Sequence, residues 1–323
     1  MHPSTVLFQD QLQPVFLPVC DHYAGSEKLM RKSMELQNDL AAIFDITFDC
    51  EDGAAAGNEA EHATLVASLI NSEQNTFNRI GVRVHDIESP FFEQDLSLIL
   101  TAAAAKLAYI VLPKVESAAQ VTKAIARINA HAEFAGRDTL PVHVLIETHN
   151  ALAEVQQIAA LPQVQCLSFG VMDFVSAHNG AIPSTAMRSP GQFSHPLVMR
   201  AKLEIAAACH RYGKIPSHNV TTEIKDTAVV AGDATRALLE CGYTRMWSIH
   251  PDQIKPIVKA LSPRSAEINE AVTILSSAQQ ENWGPVQING RLHDRASYRY
   301  FWSLLKRAHL SQIQLPEAAL KLL

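Results

Sequence analysis

Short apolar segments alternate with longer segments of helical character along the chain, and this alternation limits the possible folds more than any other feature. Parallel strands need a crossover connection, so strands that alternate with helices favour a parallel sheet. The β-like segments are residues 14–19, 43–49, 79–84, 108–113, 142–147, 165–170, 214–218 and 245–249. Segments with helical character include residues 27–40, 60–70, 117–131, 151–161, 196–212, 224–242 and 251–261.

The number of these units predicts how the sheet closes. Eight βα units within about 250 residues match a (β/α)₈ TIM barrel better than an open sheet. We therefore predict an α/β fold, with a catalytic barrel over residues 1–262 and a C-terminal helical extension over residues 263–323. A Pro-, Gly- and Ser-rich connection at residues 174–195 is long for a compact domain, which is typical of a functional or mobile loop.

Composition excludes several classes of partner. The 323 residues include 27 basic and 33 acidic ones, a net charge of −6 with no long run of either sign, so we expect no nucleic-acid or membrane partner. The five cysteines are scattered without a CxxC pair, which favours a reducing, cytoplasmic setting. We find no secretory signal and no apolar run of membrane-spanning length.

Charged residues follow the ends of the predicted strands. In a (β/α)₈ barrel the active site lies at the carboxyl ends of the strands, so these side chains are expected to form a polar rim. They are Asp49, Glu51, Asp52, Arg83, Lys114, Glu116, Glu147, Asp173 and His250.

Glu147 and Asp173 are the candidate metal ligands. They follow strands of consecutive units, so their carboxylates can converge on one point of the rim. Two carboxylates without a histidine or cysteine set suit Mg²⁺, which typically takes one or two protein carboxylates, waters and substrate oxygens. The alternative is two solvated or salt-bridged acids.

Arg83 ends the third predicted strand, where its guanidinium can grip a substrate carboxylate with two parallel hydrogen bonds. An ion pair with the acidic group at residues 49–52 is an equally open interpretation, and the two are compatible. Three carboxylates within four residues cannot all ionise freely unless they are paired. Lys114 can neutralise them, a structural role that we favour over a catalytic one.

Motifs of other enzyme classes are absent from the sequence. It contains no two-histidine zinc motif, no G-x-S-x-G elbow, no P-loop and no dinucleotide fingerprint. Serine hydrolase, nucleotide hydrolase and simple dehydrogenase activities therefore lack support.

The ordered set of motifs resembles the citrate lyase β-subunit and malyl-CoA lyase family, which is related to pyruvate-type aldolases. Seven family motifs occur in the right order between about residues 14 and 300. The family patterns D-L-E-D-x-V, R-V-N, L-P-K-V-E-S, I-E-T, F-G-x-x-D, I-H-P-x-Q and G-x-x-x-D resemble residues 49–54, 83–85, 112–117, 146–148, 169–173, 249–253 and 290–294.

This resemblance implies a Mg²⁺-dependent carbon–carbon lyase with Mg²⁺ held by Glu147 and Asp173. It implies that Arg83 holds the carboxylate or keto oxygen of a keto acid or acyl-thioester substrate, with Gly170 and Lys114 as further substrate-binding residues. Asp294 would reach the active site of a neighbouring subunit as acid or base, with Glu51 or Asp52 as the second candidate. A homo-oligomer, a trimer or hexamer, follows, and the C-terminal extension would contact the neighbour.

The chain departs from the family pattern at three places. His85 replaces an asparagine, Gly53 occupies a small apolar position, and residues 245–248 replace a Gly-Lys pair near the thioester carrier. The bulky Trp247 leaves the use of CoA or acyl-carrier protein open. A malyl-type thioester hydrolase, a pyruvate-type aldolase acting on free aldehydes, and a binding barrel without turnover remain alternatives.

Overall fold

A closed parallel barrel forms the centre of the molecule, as predicted. The computed structural model describes residues 2–9 and 14–323. Within them, eight parallel strands follow one another around the barrel in chain order, and β8 pairs with β1 to close it. The strands are β1 (Cys20–Ala24), β2 (Asp45–Asp49), β3 (Ile80–Arg83), β4 (Leu107–Leu112), β5 (Val142–Ile146), β6 (Val164–Phe169), β7 (Ile215–His218) and β8 (Arg245–Ser248).

Helices surround the barrel and continue beyond it. Most connect consecutive strands, as a parallel sheet requires. They are α1 (Pro3–Val6), α2 (Glu27–Asp39), α3 (Glu59–Asn71), α4 (Phe92–Ala103), α5 (Ala118–Phe134), α6 (His149–Ala153), α7 (Val155–Ala160), α8 (Val171–Ser176), α9 (Pro196–Arg211), α10 (Thr227–Cys241), α11 (Pro251–Leu261), α12 (Ser265–Gln280), α13 (Arg295–Leu310) and α14 (Glu317–Leu320).

The first strand was predicted at the wrong place. Residues 14–18 have no regular structure, and β1 begins at Cys20. Pro14 and Pro18 cannot donate a backbone hydrogen bond to a strand ladder, whereas β1 reads Cys-Asp-His-Tyr-Ala and lacks an apolar pattern. Its polar residues are nevertheless buried: Asp21 pairs with Arg245 inside the barrel, and His22 lies 2.7 Å from Ser248 and against Phe44.

Two further segments differ from the sequence prediction. The helix predicted at residues 151–161 is two short helices, α6 and α7, which meet at Glu154. The C-terminal extension, which was predicted to be helical, also contains strand β9 (Val286–Ile288), which pairs antiparallel with β10 (Arg291–His293). The long connection at residues 174–195 contains the end of α8 and two short 3₁₀ turns, Ser184–Met187 and Gly191–Phe193.

In the described part of the chain, buried apolar side chains form three clusters, each in a different part of the molecule. The largest lies between the outer face of the barrel and the helices, and a small one lies inside the barrel. The third joins α12, β9 and α13 to Val6, Leu7 and Phe8 from the N-terminal segment. Both ends of the chain thus pack together outside the barrel core.

An ion network fills part of the barrel interior, and we call it the inner network. Arg245 is fully buried, with nitrogen–oxygen distances of 3.0 Å to Asp21 and 2.7 Å to Asp45. Thr47 and Tyr109 donate hydrogen bonds to Asp21 at 2.8 and 3.1 Å. Buried charges are tolerated only when paired and hydrogen-bonded, so this network has a structural role.

None of the helices in residues 2–9 and 14–323 combines the length and apolar character needed to cross a lipid bilayer.

Candidate active site

The carboxyl ends of strands β2 to β6 carry a continuous group of charged residues, which we call the charged arc. It comprises Asp49, Glu51, Asp52, Arg83, Lys114, Glu147 and Asp173. The polar rim expected from the strand ends is therefore present, and its members interact with one another.

Arg83 is held by two carboxylates. Its Nε and one terminal nitrogen donate to the two oxygens of Asp49 at 2.7 and 2.5 Å. The other terminal nitrogen lies 3.1 Å from Glu51. This pairing was one of the two interpretations from the sequence, and it holds the guanidinium plane in a fixed orientation.

Lys114 completes what we call the rim network, which comprises Arg83, Asp49, Glu51, Asp52 and Lys114. The ammonium group of Lys114 donates to Glu51 and, at 3.0 Å, to Asp52. Its expected pairing with the acidic group is thus present. Burial works to raise the pKa of Asp52, but the hydrogen bond and charge of Lys114 outweigh it and lower that pKa.

Glu147 lies next to this network with a 3% exposed side chain and accepts a 2.6 Å hydrogen bond from the backbone N–H of Lys114. Lys114 has a φ of +50°, a left-handed conformation that costs a non-glycine residue energy. Burial, and then repulsion from Asp173, raises the pKa of Glu147 to about 7. A cation next to Glu147 would stabilise the ionised form of this carboxylate.

Gly170 makes room for the Glu147 carboxylate. A Cβ atom at position 170 would lie 2.3 Å from Oε2 and 2.5 Å from Cβ of Glu147, closer than atoms can approach. Any side chain there would displace the carboxylate, which gives this glycine a steric role next to the site.

Asp173 lies in the first turn of α8, exposed to solvent and close enough to Glu147 to raise the pKa of that residue. No group of three or more histidine, cysteine, aspartate or glutamate side chains suited to a metal occurs in the described chain. A pair of carboxylates, one buried and one exposed, fits the small number of protein ligands that Mg²⁺ takes.

Among the residues that the structure describes, the hydrogen bonds of Asp294 are all to residues at the start of α13, and none is to a residue of the charged arc. It caps α13 by accepting hydrogen bonds from the backbone N–H groups of Ala296 and Ser297, at 3.0 and 3.4 Å, and is exposed. Within one chain, the structure does not bring it together with the other candidate residues. His250 caps α11, followed by a proline at the first helical position.

One feature of the rim was predicted only in part, and another was missed. An ion pair of Arg83 with the acidic group was one interpretation of the sequence, but the sequence did not single out Asp49, whose bidentate contact orients Arg83. Tyr23 and Trp247 stack on each other at the rim with ring centroids 4.6 Å apart. The pairing of β1 with β8 brings these two aromatic residues together, and that pairing becomes apparent only once the barrel closes.

The fold and the rim define a (β/α)₈ barrel enzyme with a buried acidic site at the carboxyl ends of its strands. The profile of the HpcH/HpaI aldolase/citrate lyase family matches residues 26–251, more than half of the chain. The chain belongs to this family, and it is a carbon–carbon lyase.

Individual relatives agree with this placement. The chain is 28% identical over 279 residues to the L-malyl-CoA/β-methylmalyl-CoA lyase of Cereibacter sphaeroides, which covers 82% of this chain and 87% of that protein. It is 56% identical to a citrate lyase of Burkholderia xenovorans LB400, with complete coverage of both chains and a TM-score of 0.86. The citrate lyase β subunit of Mycobacterium tuberculosis, solved with oxaloacetate and magnesium, shares the fold at 22% identity and a TM-score of 0.60, over 76% of this chain and 98% of that one.

Proposed function

We propose that the protein is a Mg²⁺-dependent lyase that cleaves or forms a 3-hydroxyacyl thioester, or a related hydroxy acid, by way of an enolate. The observation that carries the proposal is the proximity of two mutually repelling carboxylates, Glu147 and Asp173, to the fixed guanidinium of Arg83. This arrangement suits a bound cation and an anionic substrate together.

Glu147 and Asp173 are the residues that would hold Mg²⁺. When bound, the ion supplies Lewis-acid stabilisation of the negative charge that develops on the substrate. The likeness to the Mycobacterium tuberculosis protein, solved with magnesium, supports the choice of ion.

Arg83 would bind the carboxylate or keto oxygen of the substrate. A guanidinium has five N–H donors, and Arg83 donates hydrogen bonds to Asp49 from Nε and one terminal nitrogen, while its other terminal nitrogen lies 3.1 Å from Glu51. The N–H groups that Asp49 does not use would donate to a substrate anion. The contacts with Asp49 and Glu51 hold it in place before the substrate arrives, which lowers the reorganisation needed during the reaction.

In the cleavage direction, the bond between C2 and C3 of the hydroxyacyl chain breaks. The C3 hydroxyl loses its proton and becomes the carbonyl of the released fragment, while the electron pair passes to the acyl fragment as an enolate. Protonation at C2 completes the reaction. Asp294 of the partner subunit is our first candidate for this proton transfer, and Glu51 or Asp52 the second. The lowered pKa of Asp52 weakens that residue as a base.

An acid/base contributed by a second copy requires a homo-oligomer, and we propose a trimer or hexamer. The exposed position of Asp294 on the C-terminal extension is compatible with such a contact. The five buried cysteines are unpaired, which supports a reducing, cytoplasmic compartment.

The carrier of the acyl group is a separate part of the proposal. The name of the Cereibacter sphaeroides relative supports a CoA thioester. We therefore propose malyl-CoA or a close analogue as the first substrate to test. Hydrolysis of the same thioesters, or aldol cleavage of free hydroxy-keto acids, is distinguished by the products.

Substitution of the carboxylates tests the proposal. We expect Glu147→Gln and Asp173→Asn to abolish Mg²⁺-dependent turnover of malyl-CoA, because each removes a charged ligand while preserving shape. Glu116→Gln is the matched control, since Glu116 also follows a strand but is exposed and pairs with neither residue. Wild-type activity in either site variant, with circular dichroism unchanged, would reject the site.

A further inference from the structure

The barrel rim has a second side with aromatic residues. The apolar cluster inside the barrel includes Tyr23 at the end of β1, Trp247 in β8 and Val220 after β7. In the order of the strands around the barrel, β8 and β1 are opposite β4 and β5, which precede Lys114 and Glu147. The rim therefore has charged side chains after β2 to β6 and two aromatic rings at β8 and β1.

The stacked rings of Tyr23 and Trp247 form a surface that we call the wall. Their rings are nearly parallel, with an interplanar angle of 18° and centroids 4.6 Å apart. Each is 8% exposed, whereas Leu145 in the same cluster is completely buried. Among the buried residues of this cluster, these two rings are therefore the most exposed to solvent at the barrel rim.

This wall adjoins the charged arc directly. The guanidinium carbon of Arg83 lies 5.7 Å from the centroid of the Tyr23 ring. Leu145 of the same cluster lies in β5, two residues before Glu147, so the two side chains face the same side. A small acid with its carboxylate on Arg83 would lie next to Tyr23, on which Trp247 stacks.

The indole N–H of Trp247 gives a second and independent sign of a ligand. It is buried, and it has no hydrogen-bond acceptor among residues 2–9 and 14–323. A buried donor without an acceptor is unfavourable, and such groups in native proteins usually have a water or ligand as partner. The nitrogen has almost no accessible surface, so an oxygen of a bound acid would accept from it once the indole ring shifts toward the site.

We propose that Tyr23 and Trp247 determine the substrate size of the enzyme. They restrict the keto-acid fragment to a short carbon chain by closing the apolar side of the site, and Trp247 donates a hydrogen bond to an oxygen of that fragment. This inference rests on the proposed function for the identity of the ligand class. It concerns the residues opposite the metal carboxylates, which the proposed mechanism does not use.

Binding of a homologous series of keto acids tests the size limit. With Mg²⁺ present, calorimetry would compare pyruvate, 2-oxobutyrate and 2-oxovalerate on the wild type, Trp247→Ala and Trp247→Phe. We expect Trp247→Ala to shift the affinity ratio of 2-oxovalerate to pyruvate by about tenfold or more, since one methylene group in an apolar pocket is worth at least that factor. Trp247→Phe retains a ring, so it should keep the preference and bind every member more weakly.

Fluorescence separates direct contact from an effect on folding. Pyruvate should quench the wild type and the matched control Trp302→Phe, which loses the same N–H in the C-terminal extension, where it donates to Leu322 at 2.9 Å. The quenching should disappear in Trp247→Phe. An unchanged chain-length preference in folded Trp247→Ala, or persistent quenching in Trp247→Phe, would overturn the inference.

Failure of the proposed function gives a different result. If the wild type binds the keto acids with the expected preference but turns over no hydroxyacyl substrate, the lyase proposal fails while the wall is supported. If Trp247→Ala does not fold, Tyr23→Leu takes its place in the same comparison, and the same two outcomes decide.

Discussion

The inner network and the rim network contain similar ion pairs but differ in their exposure to solvent. Each is built on an arginine held by two carboxylates, Arg245 by Asp21 and Asp45, and Arg83 by Asp49 and Glu51. The inner arginine is completely buried, whereas the side chain of Arg83 is 11% exposed. Solvent access, rather than the ion pair itself, distinguishes the inner arginine from the rim arginine.

Removal of the inner arginine should have the largest effect on stability. Arg245→Met leaves the buried Asp21 without its cation, because Asp45 keeps a 3.2 Å contact with Arg79 and Asp21 does not. We expect a loss of about 3–5 kcal/mol in the free energy of unfolding, measured by urea denaturation.

Asp21→Asn in the Arg245→Met background provides the control for this first prediction. It removes the uncompensated charge and should recover a large part of the loss. If the double variant is no more stable than Arg245→Met, the effect comes from packing rather than from a buried unpaired charge.

Substitution of the rim arginine should affect catalysis more than folding. Arg83→Lys keeps the charge but loses the planar bidentate contact with Asp49 and the fixed donors for substrate. We expect kcat/KM to fall by about 10²-fold, the cost of one well-placed donor to a developing charge. If Arg83→Lys lowers the free energy of unfolding as much as Arg245→Met does, both networks have a structural role, and the comparison is wrong.

A third ion pair should show a smaller and pH-dependent effect. His85 lies just behind the rim, 2.7 Å from the fully buried Asp95. The hydrogen bond to Asp95 raises the pKa of His85. This pair therefore stabilises the folded state fully below the unfolded-state pKa of about 6.5, and the contribution disappears as pH rises through the higher folded-state pKa.

His85→Asn, which restores the family residue, measures this contribution. His85 is partly open to solvent, so screening limits the difference in unfolding free energy to about 1 kcal/mol. Urea denaturation at pH 5.5 and pH 9 should show a larger deficit of the variant at pH 5.5. An equal deficit at both values would mean that the charge of His85 contributes nothing.

The sequence predicts the rim better than the interior, and the two networks show why. The rim residues follow apolar strands, so each marks a strand end, and chain order alone places Glu147 and Asp173 in neighbouring units. The residues of the inner network lie within the strands, so they interrupt the apolar pattern by which a strand is recognised in the sequence. Asp21 and Tyr23 in β1 are polar residues at buried positions, so a hydropathy pattern misplaces the strand by several residues.

The wall at the rim was missed for a related reason. Trp247 lies beside Tyr23 only because the last strand pairs with the first, and neither spacing nor periodicity contains this contact. The role of Asp294 differs again. Its environment in one chain is an ordinary helix cap, so an acid/base function depends on a second copy that the sequence of one chain cannot place.

The closure of the barrel by its last strand also affects the order in which a growing chain can fold. Asp45 and Arg245 are separated by 200 positions. During synthesis on the ribosome, Asp45 can pair with Arg79 early, whereas Asp21 emerges long before its counter-ion Arg245 is made. Burial of Asp21 in a nascent chain therefore remains unfavourable until the eighth strand has left the exit tunnel, which delays consolidation of the barrel interior until that strand is made.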